Sequence, residues 1–283
     1  MLLGIGSANA VGSGMNSAEA LRAKYIELNP LLRNNQFKRP LYLNSVESSD
    51  HLKGDIYALV NYPFSTVNKA LNNPDHWCEV LILHINKKYC HASTNNANSI
   101  LAVSIGKKIY HPLDEAYSLE FTYKVATSTR EYFNIGLNAT SGPMGTSDYR
   151  IHLEAVSVPG GKTFLHLTYS YAYDYVGQIA MQAYLATAGS GKVGFTNTGD
   201  PSSGSPDYIG GVRGVVERNT MRYYLAIEAY LGALSTTPKE QLEKRLQNWF
   251  TSTEIYPQQL REIGRASYLD MKRREYQRQQ KLQ

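Results

Sequence analysis

Five side chains on two consecutive strand-like segments could act on a bound molecule: Arg150, His152, Glu154, Tyr169 and Tyr171. A guanidinium forks onto an anion, an imidazole moves a proton near neutral pH, and carboxylates and phenols accept or donate. Whether they meet depends on one hairpin. Tyr149 to Ser157 and Thr163 to Tyr173 read as strands joined across Pro159-Gly160-Gly161. With an even-numbered loop centred on Gly160-Gly161, Arg150 faces Tyr171, His152 faces Tyr169 and Glu154 faces Leu167, all on one face. An odd-length loop would undo this pairing. Glu217, Arg222, Tyr223 and Ile227 form a second group, on a helix. Such a mixture suits a polar-lined apolar cavity, in which any buried charge must be paired. An amphipathic exterior, with Glu217 and Arg222 on the wet side of the helix, fits the same residues.

Other chemistries find little support. The chain lacks Gly-x-Ser-x-Gly, His-Glu-x-x-His and the dinucleotide fingerprint, and Gly191-Lys192 stands outside any phosphate-loop pattern. No cofactor is expected. Cys78 and Cys90 are the only thiols. They would pair in an oxidising compartment and stay as buried thiols in a reducing one. The spacing Cys-x5-His-x5-Cys-His around His84 and His91 matches no zinc knuckle, so no metal is expected.

The chain has 283 residues, 42% apolar and 19% charged, enough to bury a sizeable core. Its 22 tyrosines far outnumber its 7 phenylalanines, which suits strands and surfaces both greasy and wet. The net charge is +5, but Gln258 to Gln283 carries seven Lys/Arg against three Asp/Glu. The body is therefore near neutral, which argues against nucleic acid as a partner. The basic tail is either a solvated helix face or a surface for transient contact with acidic headgroups. No run approaches the length of a membrane helix. Met1 to Ser7, followed by Ala8-Asn9-Ala10, reads as the end of a signal peptide or as a flexible N-terminus. Export to the periplasm is expected, with the cytoplasm as the alternative.

Several elements must position these groups. Ser17 to Leu32 predicts a helix, and Lys38 to Ser48 and Gly54 to Asn61 predict strands. Pro63 opens two short helices broken at Asn72-Asn73-Pro74. Strands follow at Ile100 to Ile105, Tyr117 to Thr127, Arg130 to Asn138, and in the hairpin. Gly189 to Tyr208 is a Gly/Ser/Pro-rich loop of the kind that forms lids. Arg213 to Leu234 is a long amphipathic helix, and Lys239 to Ser252 and Pro257 to Gln279 predict two more.

This order resembles the START-like, helix-grip superfamily, in a bacterial lipid-binding form. The residues that carry the resemblance are Gly54-Asp55-Ile56-Tyr57-Ala58, Pro63-Phe64-Ser65-Thr66-Val67 with Leu71-x-x-Pro74-x-x-Trp77, and Glu217 to Tyr224. It spans about Leu41 to Leu234. It implies an α+β fold, with a curved antiparallel sheet of about seven strands gripping the long helix. Residues 17–234 would form the ligand-binding domain, after a leader or flexible segment at 1–16 and before a helical extension at 235–283. It also implies a cavity for a lipid or other apolar molecule, and with no catalytic motif in the chain the expectation is binding without catalysis. Two alternatives stand beside it: a cyclase or dehydratase using Tyr169, Tyr171, His152 and Arg150, and a scaffold that grips a partner with its C-terminal helices.

Overall fold

Strict alternation builds the sheet. In Tyr117–Ser128, Leu119, Phe121 and Tyr123 are buried while Ser118, Glu120, Thr122 and Lys124 face water. In the computed structural model, which describes residues 7–95, 98–199 and 206–282, this segment is β5 of an eight-stranded sheet. The other strands are β1 (Leu41–Glu47), β2 (His51–Val60), β3 (Lys87–Asn95), β4 (Asn98–Ile105), β6 (Tyr132–Ser141), β7 (Thr146–Val158) and β8 (Lys162–Tyr173). The order is β1-β2-β8-β7-β6-β5-β4-β3, antiparallel throughout. The eighth strand, unexpected from sequence, is β3. Its Lys87-Lys88 start hides it, because both lysines are buried where the pattern suggests a polar turn.

The helix α1 (Ser7–Arg33) precedes the sheet, and Pro30 lies within it. The expected leader at 1–16 therefore falls partly outside the described residues, and from Ser7 onward its backbone belongs to α1. Leu21, Leu28 and Leu32 of α1 pack on Val156, Val158 and Phe164, on the outer face of the sheet. Between β2 and β3, α2 (Phe64–Leu71) and α3 (Pro74–Leu81) cover one end of the inner face. Asn73 caps α3 by accepting from the Asp75 amide. Cys78 on α3 and Cys90 on β3 form a disulfide, with their Cα atoms 5.1 Å apart.

After β8 come α4 (Tyr175–Ala186), α5 (Gly211–Leu231), α6 (Pro238–Thr253), α7 (Pro257–Leu260) and α8 (Arg265–Leu282). The inner face of the sheet grips α5. The approach is close at Gly54, where a Cβ would stand 2.3 Å from Thr220 Oγ1. Unlike a one-striped surface helix, α5 is buried nearly all round, including Glu217, Arg218 and Arg222. The reason is α6, which packs on its far side: Trp249 donates to the Arg222 carbonyl at 3.2 Å and stacks on Tyr268 of α8.

The single C-terminal helix expected at Pro257 to Gln279 is two helices, α7 and α8, and the latter is not simply a solvated basic face. Lys272 and Glu275 are fully buried, and Glu275 bridges Lys272 at 2.8 Å and Lys88 of β3 at 2.9 Å. Side chains of α8 also bond the β3 backbone. Gln279 Oε1 accepts from the Cys90 amide, Arg278 donates to the Lys88 carbonyl and Lys272 to the Lys87 carbonyl. Of the outward residues, Arg273 pairs with Glu243 and Arg274 lies over the Tyr110 ring. Lys272 of the basic run is thus engaged within the chain, while Arg273 and Arg274 stay about half exposed.

Candidate functional site

The β7–β8 hairpin turns on three residues, not an even number. Val158 pairs with Lys162, so the loop is Pro159-Gly160-Gly161, with both glycines at positive φ. The register slips by one from the expected pairing. Arg150 faces Ser170, His152 faces Thr168 and Glu154 faces His166. A one-residue slip moves a strand's side chains to the opposite face. Arg150, His152 and Glu154 therefore lie on the outer face, while Tyr169 and Tyr171 point inward with Ile151 and Leu153. The five do not form one site.

The outer group makes its own cluster. His166 Nδ1 donates to Glu154 Oε1 at 2.8 Å, and Nε2 donates to Asp55 Oδ1 at 2.9 Å. Tyr57 stacks on the imidazole at 4.0 Å. Burial pushes His166 down, but the two carboxylate hydrogen bonds outweigh it and the net shift is upward. Burial likewise raises Asp55 and Glu154, and their bonds from His166 and neighbouring hydroxyls pull both below the usual carboxylate range. The result is a histidine clamped between a carboxylate of β2 and one of β7, with its charged form favoured. His152 bonds Asn134, and Arg150 pairs with Asp148 in solvent. Among the described residues, no group of three or more His, Cys, Asp or Glu side chains is placed to hold a metal ion.

Inside, Tyr169 stands 5.0 Å from Tyr223 of α5, and Tyr171 stands 5.3 Å from Tyr149. Ile227 packs in the same core. His84 lies against Tyr223 at 4.8 Å, and Lys87 Nζ sits 5.6 Å from its ring centre. Burial, then the charge of Lys272, lowers Lys87 to about 7. Glu217 and Arg222 are both buried but do not pair with each other. Glu217 accepts from Ser45 Oγ, both amides of Phe195 and Thr196, and Thr196 Oγ1, pinning the loop after α4 to β1. Arg222 reaches Glu262, beyond α7, at 2.6 Å, and Lys108 reaches the same oxygen at 2.7 Å.

A cleft of about 250 Å³ opens beside Arg222, between α4, the β6–β7 turn and α5. One wall, from α4 and the β6–β7 turn, is apolar, with Met144, Ala180 and Met181. The other is polar, with Asn86, Lys108, Arg218 and Arg222. Tyr149 also lines it, and the Tyr171 hydroxyl points at Met181 Sδ at 3.8 Å, so the inner tyrosines adjoin it. Six buried side-chain polar atoms among the described residues lack a hydrogen-bond partner. Three of them, Asn86 Oδ1, Arg218 Nη2 and Arg222 Nε, belong to this one wall. Buried polar groups are rarely left unsatisfied, so their grouping at one cleft marks it.

Of this wall, the sequence alone points to Arg222. Arg218 was findable, since it stands four residues before Arg222 on the same helical face. Lys108 and Glu262 carry no sequence signal that would place them. The helix α4 is also unexpected from sequence. Its signal is Asp174, which caps it by accepting from the Gly177 amide, followed by nine residues, 178–186, free of Gly and Pro. Close approach fixes α4 to the β6–β7 turn: a Cβ on Gly177 would meet the Gly145 carbonyl at 2.8 Å.

The architecture is α+β, a curved antiparallel sheet gripping a long helix with further helices at both termini. No family model and no curated protein matches the chain. Among solved structures it is similar to human StAR-related lipid transfer protein 5, at 9% identity and a TM-score of 0.32, over 62% of this chain and 90% of that one. It is also similar to the Zhui aromatase/cyclase from Streptomyces sp. R1128, at 9% identity and 0.34, over 75% and 94%. A third is Ara h 8.0201, at 9% and 0.36, over 68% and 99%.

Proposed function

We propose that the protein binds, and carries, a lipid or other apolar small molecule at the junction of the sheet and α5, without catalysis. The observation that supports this reading is the cleft beside α5, apolar on one wall and holding unsatisfied buried donors on the other. Tyr149 lines it and the Tyr171 hydroxyl reaches Met181 of its wall, so it offers aromatic ring surface to an apolar body and a hydroxyl to a polar tip. The reading is preferred over a cyclase or dehydratase because the four groups named for that chemistry lie on opposite faces of the sheet. A disulfide within the chain supports an oxidising compartment, and we place the protein outside the cytoplasm on that ground. Native mass spectrometry of protein purified gently from its own source should show a small-molecule adduct that is lost on denaturation. A uniformly unliganded mass would overturn the proposal.

A further inference from the structure

We infer that the cleft between α4 and α5 selects an amphiphilic anion, taking a carboxylate or phosphate head on Arg218 and Arg222 and an apolar tail along α4. This rests on the reading of the protein as a binder of apolar molecules and adds the charge of the ligand.

Charge counting around the cleft carries the inference. Arg218 is 1% exposed and Arg222 3%. Both are committed only in part: Arg218 Nη1 donates to the Val193 carbonyl at 3.1 Å, and Arg222 bonds Glu262 and Asn219. Arg218 Nη2 and Arg222 Nε have no partner. Lys108 lines the same wall. Lys192 stands near enough for its charge to act on Glu262 and to be disfavoured, after burial, by Lys108, Arg222 and Arg218. Three cations, Arg222, Lys108 and Lys192, thus act on one carboxylate, Glu262, and Arg218 lines the same wall with only a backbone carbonyl as its partner. Glu217, next to Arg218 in sequence, is turned toward Phe195, Thr196 and Ser45 and already accepts four hydrogen bonds. Desolvated cations without counter-charge are costly, and guanidinium forks match carboxylate and phosphate oxygens. A neutral ligand would leave that excess in place; an anion would relieve it.

The apolar half sets the other requirement. The helix α4 is Tyr-Val-Gly-Gln-Ile-Ala-Met-Gln-Ala-Tyr-Leu-Ala, without a single charge. It offers Ala180 and Met181 to the cleft, opposite Val215. Methionine adapts to varied apolar shapes, which suits a flexible chain. Tyr184 of α4 accepts from Lys108 at 3.3 Å, so the tail wall and the cationic wall are linked at the cleft itself.

Titration calorimetry with octanoate, octyl phosphate and 1-octanol tests this, the three sharing a tail and differing in the head. At least one anion should bind tenfold or more tightly than 1-octanol, and whichever it is identifies the head. Arg218→Met and Lys108→Met should each erase most of that preference, while Arg273→Met, on α8 and outside the lining of the cleft, should leave it unchanged. Lys108 is partly exposed, so its variant keeps the test valid if the buried arginine variant fails to fold. If 1-octanol binds as tightly as both anions, the inference fails and the apolar-binder reading stands. If none of the three binds, both fall.

Discussion

His166 keeps both ring nitrogens on carboxylates, and this has a pH consequence. Its folded pKa is raised, so its contribution is complete below the unfolded value of about 6.5 and is lost as pH rises through the folded value. Asp55 and Glu154 are lowered, so theirs is present above about 4 and lost as pH falls through their folded values. The cluster should therefore stabilise most between these limits. His166→Gln should cost roughly 2 kcal/mol near pH 5.5 and flatten the stability–pH curve on both sides. Denaturant midpoints measured across that range decide it; a variant curve parallel to the parent's would refute the clamp. The types of these residues were legible in the sequence and their company was not. Asp55 is 111 residues from His166. The face on which His152 and Glu154 fall depended on whether Pro159-Gly160-Gly161 turns in two residues or three.

At the scale of elements, some local punctuation was readable. Pro63 and Pro74 placed two short helices, and alternation placed β5. The cysteine pair was readable by count. Removing it with Cys78→Ala and Cys90→Ala together should lower stability by about 3 kcal/mol, as the loop it closes is short. Chemical denaturation of parent and double variant checks this; equal midpoints would mean the bond adds nothing to the fold. Two elements escaped. The start of β3 reads as polar because the partners that neutralise Lys88 lie on a helix nearly two hundred residues later. The helix α4 has no charged face, so nothing marks an inside and an outside.

Across the whole molecule, the C-terminal helices share the main core: Leu246, Trp249, Tyr268 and Met271 pack with the sheet and α5. This is why α5 is buried all round, a feature its own stripe could not announce. One carboxylate, Glu275, balances two buried lysines, and burial has already lowered Lys272 to about 8. Glu275→Gln should destabilise the protein by about 3–5 kcal/mol, since two ammonium groups lose their counter-ion. It should also lower the unfolding temperature of sheet and helices together in one calorimetric transition. Separate transitions, or an unchanged one, would show that the C-terminal helices fold independently of the sheet.

The side-chain bonds from α8 to β3 have one more outcome. β3 lies at the edge of the sheet, and a bare edge is a template onto which another copy can add a strand. Gln279, Arg278 and Lys272 occupy backbone groups that such an addition would use. The helix thereby insulates the sheet against self-propagation, and chains in which it is detached should be prone to aggregate through β3.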